Sequence, residues 1–508
     1  MGFRNPIIPG YNPDPSVCRV GEDYYLVTSS FEDFPGVPVY HSRDMVNWEQ
    51  IGYCLTRRSQ LELKNCPPSR GIFAPVIRYH QGRFYMITTN VSHGGNFYVW
   101  TEDPAGEWSE PIFLAQGGID PSLFFDDDGK VYLTSNQPTG GDWTIAQSEI
   151  DIATGQLLTK PRTVWTGTGG RHPEGPHLYK INGKYYLMIA EGGTELGHME
   201  TIARSDSPYG PFESCPHNPI LTHRGNPLNL IQGTGHADLI QAHDGSWWLV
   251  FLAFRMTRNA FHHLGRESFM APVTWDEDGW PHVYNDRQIR IDMECDTLPL
   301  KPFPKAPRRD DFDGQRLALP WNYLRNPNFA DYDLNAGRKS AIGLRCGAYN
   351  LFDWASPSFI GRRQEQWDCE AYTLLDFVPR AEGEEAGFTT YFQPLHHYEI
   401  ALTRKEGKRV LIVRRNAVDM CYIAFEREVE PGPIVLGVKA DKMDYTFMYG
   451  RPGGEMQVAC TASTLPVSIE ASTTHATGMF LGLYATANGA QSQNWAYFDW
   501  FDYSVGDE

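Results

Sequence analysis

The chain lacks any apolar run approaching the roughly 20 residues that a membrane-spanning helix requires. Its first residues, MGFRNPIIPG, contain no basic stretch followed by an apolar core of the secretory type. Cysteine is sparse: nine in 508 residues, scattered, odd in number and never spaced as CxxC. That pattern argues against a disulfide framework or a thiolate metal site, and the thiols are expected to be reduced and mostly buried, in a cytoplasmic protein. Positive charge is scarce as well. Lys and Arg number 44 against 62 Asp and Glu, a formal net charge of −18, which argues against nucleic acid or an anionic membrane as partner. There is no segment of convincing helical period, no Gly-x-Ser-x-Gly elbow for a serine nucleophile and no glycine-rich loop that opens a helix. The His-His pairs at His262 and His396 lack the i, i+4 spacing of a helical zinc site.

What the chain does have is a repeat. Five segments share a plan: NPDPSVCRVGEDYYLV from Asn12, FAPVIRYHQGRFYMIT from Phe73, IDPSLFFDDDGKVYLT from Ile119, PEGPHLYKINGKYYLM from Pro173 and GHADLIQAHDGSWWLVF from Gly235. Each places a polar residue at the start of one strand, a turn at Gly21, Gly82, Gly129, Gly183 or Gly245, and an aromatic and β-branched strand after it. The turn glycines lie roughly 47–62 residues apart, leaving room for two further strands per copy. Four-stranded units without a helical period predict an all-β fold whose first part is a five-bladed β-propeller. Tyr24, Tyr25, Trp247 and Trp248, on the aromatic strands, are expected to pack between blades.

The first strand of a propeller blade lines the central axis, so matching positions converge. Aligned on the turn glycines, Asp14, Asp120, Glu174 and His236 fall at nearly the same place, with Ala74 in the second blade. A turn or capping role accounts for any one carboxylate, but three around one axis repel each other unless something uses or neutralises them. Two carboxyl groups across a pocket, one ionised and one protonated, are what glycosidic bond hydrolysis requires, and a third raises the acid's pKa. A sugar-binding propeller without catalysis would explain the repeat and the aromatics but leaves those carboxylates unused.

The motifs NPDPS at Asn12, GIDPS at Gly118, HPEGPH at His172, GTGHADL at Gly233 and LGRESF at Leu264, in this order, resemble family 43 glycoside hydrolases, in particular two-domain β-xylosidases and α-L-arabinofuranosidases. The resemblance implies Asp14 as general base, Glu174 as general acid and Asp120 as the residue that tunes and orients Glu174. It also implies inversion of the anomeric centre, with the two catalytic carboxyls about 6.5–9.5 Å apart. Arg266 matches an arginine that reaches sugar hydroxyls and the neighbouring carboxylates, and His236 a histidine beneath the pocket, with a calcium nearby left open and no other cofactor required. Phe31 and Phe73 match positions bordering the sugar. Many related xylosidases carry Trp at the positions of Phe73 and Asp33, so a changed pocket wall is expected at both. Substrates implied are xylo- or arabino-oligosaccharides cut from the non-reducing end, with β-D-xylosidase ahead of a dedicated α-L-arabinofuranosidase. The resemblance also suggests a homo-oligomer.

The stretch PLKPFPKAPRR from Pro299 reads as a stiff linker. It divides a catalytic propeller over 1–304 from residues 305–508, whose alternating strands predict a jelly-roll β-sandwich packed on it. The aromatic stretch NGAQSQNWAYFDWF around Trp495 is the expected source of a loop that closes one side of the pocket.

Overall fold

The computed structural model describes residues 2–139, 142–472, 474 and 476–506. Between Ser16 and Val283 the chain forms five successive antiparallel sheets, each with a path of four strands. Their first strands are Ser16–Val20, Val76–His80, Ile119–Phe125, Glu174–Ile181 and Ile231–Gln241. These pack against one another in cyclic order, the fifth returning to the first, so the sheets are the blades of a closed five-bladed propeller. The five turn glycines all have φ between 63° and 89°. A Cβ at any of them would meet nothing within 4 Å. Left-handed backbone, not crowding, is therefore what demands glycine there. Aromatic side chains fill the gaps between blades, as expected: Tyr25 of blade one meets Phe84 of blade two edge-on at 4.8 Å, and Tyr24 and Trp248 are buried.

The ring is closed by the N-terminus, since Phe3–Arg4 pairs antiparallel with Asp292–Met293 beyond blade five. It is pinned at its axis by a buried polar layer. Asp238 of blade five accepts hydrogen bonds from Ser16 Oγ (2.6 Å) and the Val17 N–H (3.1 Å) of blade one, Arg78 Nη1 (2.8 Å) of blade two and the Tyr179 hydroxyl (2.7 Å) of blade four. Burial opposes ionisation of Asp238, but Arg78 outweighs it and holds the carboxyl well below its usual range. Burial pushes the His177 imidazole down to about 3, and the neutral ring's Nδ1 accepts from Arg78 Nη2 at 2.7 Å.

From Arg309 onward the chain builds a sandwich of two antiparallel sheets. One has the order Tyr332–Leu334, Ile342–Arg345, Trp495–Val505, Cys369–Asp376, Ile434–Ala440, Asp444–Gly450, Gln457–Ser463; the other runs Ser358–Arg363, Phe480–Thr486, Glu385–Gln393, His396–Lys405, Lys408–Ala417, Met420–Glu428. Phe388, Ile400 and Leu411 from one sheet meet Leu436, Phe447 and Phe501 from the other in the core. Between the two units the proline-rich segment lies along blade one, where the Lys301 N–H donates to Asp44 Oδ2 (2.6 Å) and Phe303 meets the His41 ring. Among the described residues the single α-helix is the turn Tyr284–Arg287, and no helix is long and apolar enough to cross a membrane. The nine cysteines are free thiols, six of them buried.

Two expectations fail here. The Trp495 stretch is not a loop: Trp495–Val505 is an eleven-residue strand in mid-sheet, with Ala496, Phe498 and Phe501 in the core. Its aromatic spacing is the period-two pattern of a strand half-buried in a sandwich. Asp33 does not line a pocket wall either. It sits in the short strand Asp33–Phe34, which pairs with Tyr323–Leu324 of the second unit, and it is buried with its carboxylate 3.8 Å from Arg363 Nη2. The carboxylate serves the junction between the units.

Removing one partner of the axial ion pair strands the other in a dry site. Arg78→Ala and Asp238→Ala are each expected to lower unfolding free energy by about 3–5 kcal/mol, measured by urea denaturation followed by tryptophan fluorescence; losses below about 1 kcal/mol would mean that the layer does not pin the ring.

Candidate active site

At one end of the axis a cavity of about 420 Å³ is lined by Asp14, Asp120 and Glu174 together with Phe31, Phe73, His236 and Arg266. All seven residues singled out from the sequence therefore meet in one place. The backbone explains how. Asp14, Asp120 and His236 have φ of 54°, 52° and 50°, and each lies two residues before the inner strand resumes regular pairing. Left-handed backbone is uncommon outside glycine, and before proline it is further restricted, as at Asp14-Pro15 and Asp120-Pro121. Such strain persists where the surroundings impose it, typically at functional sites.

Blade four departs from the alignment by one residue. There the left-handed position is Gly175 (φ 57°), inside a bulge between Glu174 and His177, so Glu174 corresponds in register to Phe73 rather than to Asp14. Glu174 thus stands one residue farther than Asp14 and Asp120 from the point where regular pairing resumes, and it is left partly exposed while those two are buried. Glycine is required twice over at 175, because a Cβ there would stand 3.1 Å from the His236 ring.

The three carboxyls have different neighbours. Asp14 receives Arg266 Nη1 on Oδ1 (3.0 Å) and the Ser29 hydroxyl on Oδ2 (2.5 Å), and His236 Nδ1 lies 3.9 Å away. Burial would raise its pKa, yet Arg266, His236 and Ser29 together hold it below the ordinary aspartate value. Among the described residues Glu174 makes no ion pair, and Arg266 pulls its pKa down by less than its surroundings push it up. Burial first, then the charges of Asp120 and Asp14, push it well above the glutamate range. Asp120 is raised to about 6 by burial and by Asp14, while the Gly175 N–H donates to its Oδ2 at 3.2 Å. Asp120 thus grips the residue next to Glu174. Farther out, the Asn136 side chain donates to the Pro173 carbonyl. Glu191 accepts from the Thr168 and Gly170 N–H groups at 2.9–3.0 Å, fixing the loop that leads into Glu174.

Arg266 does more than sequence could tell. Its Nη1 also donates to Thr194 Oγ1 (2.9 Å) and its Nη2 to the Ala476 carbonyl (3.2 Å). Its guanidinium lies 5.7 Å from the Phe31 ring, which in turn packs on Phe73 at 5.5 Å. Thr474 and Ala476 line the cavity, so the sandwich does close one wall, through the segment leading into Phe480–Thr486 instead of the Trp495 strand. Gly265 and Gly478 make that approach possible: a Cβ on Gly265 would stand 3.0 Å from Gly478 Cα, and one on Gly478 would stand 2.4 Å from the Leu264 carbonyl oxygen. Ser29, Thr194 and Ala476 were not foreseen, since their roles arise from contacts distant in sequence.

Calcium takes six to eight oxygen ligands. Among the described residues His236 belongs to no group of three His, Cys, Asp or Glu side chains with converging ligand atoms. A calcium ion beside His236 would have to draw its oxygen ligands from other groups, such as backbone carbonyls, side-chain amides or water.

Residues 3–281 match the family model described as Glycosyl hydrolases family 43. The chain belongs to that family, and it is a glycoside hydrolase, which sets aside the non-catalytic propeller. Residues 309–504 match the beta xylosidase C-terminal concanavalin A-like domain. Similar proteins span its length: the non-reducing end alpha-L-arabinofuranosidase BoGH43B of Bacteroides ovatus is 43% identical, covering 99% of this chain and 94% of its own, and a xylosidase/arabinosidase of Butyrivibrio fibrisolvens is 37% identical, covering 98% of each. Among solved structures, the GH43B protein of the Bacteroides ovatus xyloglucan PUL superposes with TM-score 0.95 at 42% identity over 99% of this chain and all of that one. The xylan beta-1,4-xylosidase of Bacillus halodurans does so with TM-score 0.94 at 34% identity over the same shares.

A methyl group at position 175 would displace the His236 ring and strain the left-handed backbone that sets the Glu174 bulge. Gly175→Ala is expected to lower kcat/KM by about 10²-fold, the scale of an ångström-level misplacement, while the folded protein keeps its circular dichroism; an activity within twofold of the parent would show that the bulge tolerates a side chain.

Proposed function

We propose that this glycoside hydrolase is exo-acting and inverting, and that it releases a terminal β-D-xylosyl or α-L-arabinofuranosyl residue from the non-reducing end of xylo- and arabinoxylo-oligosaccharides. The observation that carries the reading is the opposite bias of two carboxyls on one cavity: Asp14 held ionised by Arg266, and Glu174 held protonated by burial and by its acidic neighbours. In the reaction a water oxygen attacks the anomeric carbon while Asp14 accepts the water's proton. The bond to the leaving oxygen breaks, and Glu174 delivers its proton to that oxygen. Asp120 acts on Glu174 by charge and through the Gly175 N–H.

Arg266 keeps Asp14 available as an anion, and its place on the cavity wall suits contact with sugar hydroxyls. Phe73 offers its ring to the C–H faces of the sugar, and Phe31, which also lines the cavity, packs against it. The wall supplied by Thr474 and Ala476 bounds one side of the cavity, which favours chain ends over an open groove. A dedicated α-L-arabinofuranosidase is the second reading, favoured by the name of the 43%-identical relative and by phenylalanine in place of tryptophan at position 73.

Initial rates on aryl β-D-xylopyranoside and aryl α-L-arabinofuranoside, measured side by side, test the proposal. Turnover of at least one is expected, with the first-formed sugar inverted by proton NMR and the rate reduced about 10²–10⁴-fold in Asp14→Ala. A retained anomer would remove Asp14 from the role of base, and turnover of neither substrate would overturn the specificity.

The pH profile tests the acid. Ionised Asp120 disfavours ionisation of Glu174, so removing that charge lowers the Glu174 pKa and the acid form is lost at lower pH. Asp120→Asn is expected to move the alkaline limb of kcat/KM downward while the acid limb, set by Asp14, stays on the acid side of its ordinary value; an unmoved alkaline limb would refute the tuning role.

A further inference from the structure

Far from the cavity, on the outer edge of the propeller, two imidazoles and a carboxylate converge. His282 Nε2 lies 3.0 Å from Asp276 Oδ2, and His217 Nε2 lies 3.9 Å from the same oxygen. The two rings stand with centroids 5.1 Å apart. Among the described residues this is the only group of three His, Cys, Asp or Glu side chains whose ligand atoms all fall within 4.8 Å of one another.

The spacing is that of a metal's coordination edge. Two donors bound tetrahedrally at about 2.0–2.1 Å stand roughly 3.3 Å apart, between the two distances observed. Closing the longer of these gaps to that edge takes roughly half an ångström or slightly more, and the His217 side chain, about half exposed at 53%, has room to make that adjustment.

Each ligand stands on a fixed support. Asp276 opens the tight turn of Asp276 to Trp280, where its Oδ1 accepts the Trp280 N–H at 2.8 Å. His282 is the middle residue of the outer strand Pro281–Val283 of blade five. His217 lies in a turn that follows the outer strand Glu213–Ser214 of blade four. Asn218 anchors that turn by accepting the Ile202 N–H (2.9 Å) and donating to the Ile202 carbonyl (2.8 Å). The charges around the cluster favour a cation. Glu277 and Asp278 share the Asp276 turn, Arg204 is paired with Glu213 and stacked on Trp280, and Arg287 donates to the Pro219 carbonyl. The group opens onto a surface cavity of about 550 Å³, so a fourth position is available to water.

We propose that His217, Asp276 and His282 form a binding site for a divalent transition-metal ion of the zinc type, which ties the outer edge of blade four to that of blade five. Two nitrogen donors and one carboxylate select zinc, nickel or copper over calcium and magnesium, which prefer all-oxygen cages. The site lies apart from the carboxylates of the cavity and takes no part in glycoside cleavage. Its consequence is for the ring's stability, because an ion bound to the folded state alone raises the unfolding temperature by mass action.

Zinc chloride titrated into the full-length, chelator-treated protein by calorimetry tests this, with the thermal midpoint read in parallel. The parent is expected to bind one more equivalent of zinc than His217→Ala/His282→Ala, and to gain a few degrees in midpoint on zinc addition that the variant does not gain. Calcium should give no difference between the two proteins. Both histidines are solvent-facing, so the variant should fold and keep parental glycosidase activity without added metal. Equal zinc stoichiometry and equal thermal shifts in the two proteins would overturn the proposal, and the added equivalent surviving only for calcium would overturn its choice of metal.

Discussion

One guanidinium sorts three carboxyl groups. Asp14, Asp120 and Glu174 meet at one end of the propeller axis, where two neighbouring anions already repel strongly and three cannot all stay ionised near neutral pH. Arg266 contacts only Asp14 among them, at 3.0 Å. That choice lowers Asp14 and leaves burial and residual repulsion to raise Asp120 and Glu174. A base and an acid at the same pH follow from the position of one cation, which is the general route by which similar residues acquire opposite roles. Were Arg266 centred among the three, the asymmetry that hydrolysis needs would vanish.

That cation is held from three directions. It comes from the start of the third strand of blade five, bonds to blade one through Asp14 and to the loop at Thr194 after the second strand of blade four, and is capped by the Ala476 carbonyl of the sandwich. The blades are in turn fixed relative to one another by the Asp238 layer beneath, which links blades one, two, four and five through Arg78, Ser16 and Tyr179. A buried ion pair of this kind adds little net stability compared with an apolar core, but it penalises every arrangement that leaves a member unpaired. The layer therefore specifies which blades meet at the axis, and the catalytic layer inherits that geometry.

Much of this was legible in the sequence because the signals are local. Gly21, Gly82, Gly129, Gly183 and Gly245 mark turns by backbone conformation alone, and the run of aromatic and aliphatic residues after each marks a strand. The converging carboxylates followed from repeat position. What misled was register. Counting from the turn glycine put Glu174 level with Asp120 and His236, whereas Gly175 holds the left-handed position and a bulge absorbs the difference. Trp495 was misread because an alternating aromatic strand and an aromatic loop have the same composition, and only pairing partners tell them apart. Asp33 was misplaced because its partners, Arg363 and the strand Tyr323–Leu324, lie about 300 residues away in the chain. Ser29, Thr194 and Ala476 carry no local signal at all.

The two units cannot then be treated as a catalyst and an appendage. Arg363 of the sandwich donates to Asn12 (2.6 Å) and covers the Tyr11 ring, two and three residues before Asp14. Tyr11 stacks on Phe31, which packs on Phe73 and lies beneath Arg266. A buried chain of contacts thus runs from the sandwich to the cavity wall on one side, while Ala476 reaches the same arginine on the other. The close approach at Gly265 and Gly478 has the same origin: a side chain at either glycine would push the sandwich away from Arg266 and loosen the carbonyl that caps it. The sandwich's contribution to catalysis is accordingly electrostatic as well as steric, since the orientation of the cation that sorts the carboxyls depends on it.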